Sequence, residues 1–237
     1  MKCLTILAAF ATLLVPALAD DNSQIKADDN SQIKADDNFQ IKAFGNLDQA
    51  DASINLSNTG ASWGKNISTP AGVFLGTGNI CANVYVFAPD EELIGCSSFL
   101  LTPNELVSFS LRNELSSNFL TLHISSTLTP GIPTSVVVKL VTSAACVPDT
   151  NRSSSTFGHC LVPPTLAAAA SSCNPATVGQ VNGQPLTGGL VAWGTNALKN
   201  TSTTPATYGI SQTHFERGEL SAQELARITS SCAFTRI

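Results

Sequence analysis

Three histidines, His123, His159 and His214, are the side chains here whose ordinary chemistry is proton exchange near neutral pH. A nucleophilic site would place a serine or cysteine beside one of them. A G-x-S-x-G pattern occurs once, at Gly60-Ala61-Ser62-Trp63-Gly64, but no helical pattern follows it as a nucleophile elbow requires. The alternation Leu120-Thr121-Leu122-His123-Ile124-Ser125 turns the aliphatic residues inward and His123 outward, as a surface residue. His159 lies in a cysteine-containing stretch and His214 precedes the C-terminal segment, neither beside a nucleophile motif. Glycoside hydrolysis would need two carboxylates about 5–9.5 Å apart. The candidates are Asp90, Glu91, Glu92, Glu105, Glu114, Glu216 and Glu219. Three of these are consecutive beside Pro89, which reads as a solvated turn. A hydrolase acting through Glu216 or Glu92 is the weakest of the available readings. No catalytic residue, cofactor or metal site is expected. The adjacent pair His159-Cys160 is poorly spaced to point at one metal.

A second chemistry is ring stacking on sugars. Only four residues are Trp or Tyr: Trp63, Tyr85, Trp193 and Tyr208. Trp63-Gly64-Lys65-Asn66 and Trp193-Gly194-Thr195-Asn196 share the pattern W-G-x-N. A glycine after each Trp suggests a turn that displays the ring with an amide beside it. Trp63, Asn66, Trp193 and Asn196 are therefore the candidate ligand-binding residues. The plainer alternative is that both rings cap the ends of a core. Tyr85, inside an apolar run, reads as core.

These residues must be positioned by a chain that has left the cytoplasm. Met1 to Ala19 has a Lys near its start, an apolar run and an A-L-A cleavage site, the form of a secretory signal peptide. Membrane insertion is not expected, because no later stretch approaches the ~20 apolar residues of a spanning helix. Removing the leader takes away one Lys and no acid, so the formal charge moves from −5 to −6. With no basic cluster, that balance argues against nucleic acid as partner. Removal of Cys3 leaves Cys81, Cys96, Cys146, Cys160, Cys173 and Cys232, an even set that predicts three disulfides. Of 15 possible pairings, the nearest-neighbour scheme is Cys81–Cys96, Cys146–Cys160 and Cys173–Cys232. Asn55, Asn66, Asn151 and Asn200 begin N-x-S/T sequons, surface glycan sites in a eukaryotic secretory route. In a bacterium they would simply follow from the composition.

Residues 20–43 repeat one octad three times, D-D-N-S-Q-I-K-A, with Phe39 replacing Ser in the last copy. One large apolar residue in eight cannot offset ~1–2 kcal/mol of backbone entropy per residue. The period matches no coiled-coil repeat, and the Asp-Asp-Asn triplets lack calcium-loop spacing. The segment is expected to be a disordered acidic spacer, with strand addition by Gln40-Ile41-Lys42 to a neighbour's sheet edge as a further option.

From residue 44 short strands alternate with turns. They are expected at 53–57, 79–87, 93–101, 107–112, 120–125 and 136–141, with 79–87 central because it is nearly all apolar. Residues 143–177 lose this rhythm and read as a disulfide-stapled connection. Strands resume at 177–181, before the hairpin signal Asn182-Gly183, and again at 189–193 and 206–211. Ser221-Ala222-Gln223-Glu224 is a capping box between Leu220 and Leu225, which predicts a C-terminal helix burying Leu225, Ile228 and Cys232. The fold class is all-β: an antiparallel β-sandwich with disulfides and one short C-terminal α-helix. Its core spans 44–142, and the late strands and helix of 178–237 pack against it.

The run GNICANVYVFAPDEELIGCSSFLLTPNELVSFSL (78–111) and the tail HFERGELSAQELARITSSCAF (214–234) resemble a group of uncharacterised secreted bacterial cysteine-containing β-proteins. Their pattern is G-N-x-C-A-x-x-Y-V-F, then T-P-N-x-L, then L-S-x-x-E-L with a cysteine soon after. Ser97 and Phe99 stand where that group has further cysteines. The resemblance implies a β fold and export, and no activity. The expected function is a secreted, non-catalytic surface, matrix or adhesion-type protein. The alternative is a carbohydrate-binding module. The expected partner is an extracellular glycan or another copy of the chain.

Overall fold

The computed structural model describes residues 38–234 except 70–71, 117–131, 150, 155–159, 162–164, 181–182, 201, 203 and 206. The signal peptide, the first two octads, the 120–125 strand with His123, and His159 lie outside the described residues.

The chain forms β1 (Phe39–Gly45), β2 (Ala52–Asn58), β3 (Trp63–Thr69), β4 (Gly72–Thr77), β5 (Ile80–Phe87), β6 (Leu93–Leu101) and β7 (Leu106–Ser110). Then come α1 (Leu111–Ser116), β8 (Ser135–Ala144), β9 (Val147–Pro148), β10 (Cys160–Leu161) and α2 (Leu166–Ser172). The last elements are β11 (Leu190–Asn200), β12 (Thr207–His214), β13 (Glu216–Arg217) and α3 (Ala222–Phe234). Sheet A runs β13-β1-β8-β5-β6 and sheet B runs β12-β11-β2-β7, both antiparallel in the pairings of their strands. The fold is thus the antiparallel β-sandwich with disulfides expected from the sequence.

The two sheets enclose the main core, with Phe44, Val84, Val138 and Leu140 from sheet A meeting Ile54, Leu56 and Ala192 from sheet B. Sheet A is also covered on its other side. There Phe39, Tyr85, Phe87 and Val141 pack with Val178, Ile228 and Cys232. Cover on both faces explains why β5 is buried at all eight positions and why its sequence reads apolar throughout. Its one amide is fully accommodated. Asn83 Nδ2 donates to Val141 O (2.9 Å) and Ser143 Oγ (3.0 Å), and Asn83 Oδ1 accepts from Ser98 Oγ (2.7 Å).

The helices of the third layer are covalently tied to this face. Cys81 in β5 bonds Cys173 after α2, and Cys96 in β6 bonds Cys232 in α3. This corrects the nearest-neighbour scheme. Cys81 and Cys96 lie on adjacent strands, but Cys96 faces Tyr85 across the ladder and Cys81 faces Leu100. Four residues of register keep the two sulfurs apart, and each meets a helix lying over it. Cys146 is also disulfide-bonded; the Cys146–Cys160 pairing involves a side chain outside the described residues. Ser221 caps α3 as its box predicts, its Oγ accepting from Glu224 N at 3.1 Å.

Three further expectations are corrected. The octad segment is not all spacer: residues 39–43 form β1, paired along its whole length with β8. The single Ser-to-Phe change supplies the reason, because Phe39 is 6% exposed and anchors the strand in the second cluster, while Phe44 anchors it in the first. Residues 143–177 hold the end of β8, the β9–β10 ladder and α2, capped by Thr165 Oγ1 accepting from Ala168 N at 3.1 Å. Residues 177–180 are turns, not a strand. Gln184 returns over them, its carbonyl accepting from Gly179 N at 2.8 Å.

Candidate functional site

W-G-x-N does not mark a turn at either occurrence. Both motifs lie in strands, Trp63 opposite Thr77 in the β3–β4 ladder and Trp193 in the middle of β11. The side chains of Trp63 and Asn66 lie outside the described residues. Gly194 is glycine for a packing reason, not for a turn. A Cβ there would fall 2.6 Å from Lys42 Cε and from the Phe44 ring. Because side chains alternate along a strand, Trp193 and Asn196 point to opposite sides of sheet B. Asn196 goes with the inward series Leu190, Ala192 and Gly194, and its Oδ1 is buried without a hydrogen-bond partner.

Trp193 belongs instead to the outer face of sheet B. It stands opposite Asn55 on one side and His214 on the other. The same alternation brings Thr195, Ala197 and Lys199 of β11 to this face, and Gln212, Ile210 and Tyr208 of β12 beside them in register. Val191 of β11, Ser53, Asn55 and Ser57 of β2, and Leu106, Ser108 and Ser110 of β7 complete it. Trp193 is half-buried, while Tyr208 and Ile210 are 59% and 78% exposed. Tyr208 and Ile210 were missed in sequence reading as site residues. The signal that could have found them is that Thr207 to Thr213 has no charge and no proline, unusual for an exposed edge strand.

A cleft of about 480 Å³ opens where this face meets the edge of sheet A, lined by Ile41, Lys42, Ala43, Val137, Thr213, His214 and Glu216. Lys42, from the third octad, crosses the gap between the sheets and donates to Thr213 Oγ1. Burial pushes the Lys42 ammonium below the usual lysine range, and the Glu216 carboxylate opposes that shift. Gln40, also an octad residue, spans the same gap, its Nε2 donating to Leu190 O at 2.8 Å. A second cleft of about 330 Å³ lies beside α3, with Glu91 and Arg227 paired at 3.3 Å and Lys139 paired with Glu224.

Chemically, the outer face of sheet B offers two aromatic rings, the aliphatic side chains of Ile210, Leu106 and Val191, and hydroxyls and amides in rows. That set can stack on and hydrogen-bond to a polyhydroxylated chain. Among the described residues no group of three or more His, Cys, Asp or Glu could hold a metal ion. No helix among them is long and apolar enough to cross a membrane.

No family model and no curated protein matches this chain. One solved structure of related shape, titled "Crystal Structure of Thermotoga maritima 1070", covers 77% of this chain and 97% of its own at 8% identity and a TM-score of 0.33. That likeness is too slight to carry fold or function across.

Proposed function

We propose that this is a secreted, non-catalytic binding protein of the surface, matrix or adhesion type, and that it holds a glycan on the outer face of sheet B. The observation that supports it most is the row Trp193, Ile210, Tyr208 on one face, flanked by Asn55, Thr195 and Gln212. The disulfides suit an oxidising compartment. This reading keeps Trp193 from the W-G-x-N candidates and adds Tyr208.

A glycan array on the mature protein tests this, with the double variant Trp193→Ala/Tyr208→Ala alongside. The expected result is retention by the wild type and loss of at least about tenfold in affinity for the variant, with an unchanged circular dichroism spectrum. Both side chains are partly exposed, so truncation should cost less than the ~3–5 kcal/mol of a fully buried aromatic. A folded variant that binds as well as wild type would refute the assignment of the face. Turnover on a panel of glycans and esters would refute the non-catalytic reading.

A further inference from the structure

We infer that the glycan held on this face is an acidic polysaccharide, one whose sugar units carry carboxylate or sulfate groups; the inference rests on the reading just given. The observation behind it is a repeated pairing. Trp193 lies directly opposite His214, and Tyr208 lies directly opposite Lys199. Directly opposed residues of an antiparallel pair have Cβ atoms roughly 4.5–5.5 Å apart. Each ring therefore has a nitrogen base on the neighbouring strand, pointing to the same side. The two pairs are six residues apart along both strands, roughly 20 Å at ~3.3 Å per residue. Ala197 with Ile210 and Thr195 with Gln212 fill the interval. An extended chain of several sugar units spans such a distance, so two of its units can meet a ring and a basic side chain each.

The charges around the face fit an anionic polymer. On a chain of net charge −5, this face carries one carboxylate among the described residues, that of Asp51 just before β2. It is already engaged, accepting from Ser110 Oγ (2.5 Å), Ala52 N (2.7 Å) and Arg112 N (3.1 Å). Below His214 the cleft holds Lys42, Thr213 and Glu216, one cation against one anion. The exposed imidazole and the exposed Lys199 ammonium are thus left facing outward beside their rings. Single-stranded nucleic acid also stacks on aromatic rings, but it brings a charge on every unit and selects for clustered Lys and Arg. Two basic side chains roughly 20 Å apart match a sparser charge, interleaved with hydroxyls.

Matched polymers separate charge from sugar. The mature protein is tested by affinity electrophoresis on hyaluronate, which carries a carboxylate on every second sugar, against its methyl ester, and on sparsely sulfated dextran against dextran. Lys199→Gln and His214→Gln are run in parallel, with an oligothymidine competitor. The expected result is tighter binding to at least one acidic member than to its neutral twin, weakened by added salt. Each substitution should reduce that preference roughly threefold to fivefold. Equal binding within both pairs, or preference untouched by both substitutions, overturns the inference and leaves the glycan-binding reading standing. So does binding confined to neutral glycans on the array. Tighter binding to the oligonucleotide overturns it in favour of nucleic acid. No retention on any glycan overturns both readings together.

Discussion

Phe39→Ser rewrites the third octad as an identical copy of the first two, and its effect can be worked from the packing of β1. Phe39 is 6% exposed and shares a cluster with Tyr85, Phe87, Val141, Val178 and Ile228. Its ring also lies 3.1 Å from where a Cβ on Gly218 would stand. Truncating a buried Phe costs about 3–5 kcal/mol, and the serine hydroxyl would be left in an apolar site. The expected loss is therefore about 4 kcal/mol, a large share of the 5–15 kcal/mol typical of a domain. Register slippage offers no escape. Sliding the repeat by eight residues keeps Gln, Ile, Lys and Ala in place, but sets Ser31 at the position of Phe39 and Asp36 at the position of Phe44. Phe44 is 1% exposed in the main core, where burying a carboxylate is costly. The assay is guanidinium unfolding with disulfides intact, reading the midpoint at constant slope. The double variant Ser31→Phe/Phe39→Ser should unfold as easily as Phe39→Ser alone. A loss under about 1 kcal/mol, or recovery in the double variant, would show that Phe39 does not fix β1 in its slot.

Three other outcomes are expected. Burial raises the Tyr85 hydroxyl well above the usual tyrosine value, and the group donates to Pro175 O at 2.5 Å. The folded state holds this proton after the unfolded chain releases it, so the contribution is complete below about pH 10 and is lost as pH rises beyond it. Tyr85→Phe should flatten that alkaline decline in thermal melts while costing about 1 kcal/mol at neutral pH; an unchanged alkaline limb would contradict the assignment. Replacing Cys96 and Cys232 together by Ala should destabilise by about 2–4 kcal/mol and raise amide exchange first in α3, whereas uniform exchange would argue against a local tie. Gly194→Ala should cost about 1–3 kcal/mol by overpacking, because the new methyl group meets Lys42 and Phe44, and a neutral effect in denaturant would show that β1 can move aside.

Much of the fold was legible in local pattern. Period-two alternation marked β2 and β7, an unbroken apolar run marked β5 as central, and the capping box marked α3 within a residue of its start. These features follow from short-range rules: which side a residue faces, and which termini can be capped. The octad misled because its composition has too little apolar surface to order itself. Its third copy folds because β8 supplies a ready ladder and two clusters receive Phe39 and Phe44. W-G-x-N misled because glycine has two uses, and here a close approach by Lys42 and Phe44 requires it, not a turn.

The sequence by itself determined the class of the fold, many of its short strands and its capped helix. Each is decided by neighbours a few residues apart. Only the tertiary structure decided which cysteines meet, that an octad completes sheet A, and that Trp193 shares a face with Tyr208 while Asn196 does not. Those facts depend on strand order and register. Register brings together residues as far apart as Ile41 and Glu216, and no spacing along the chain records it.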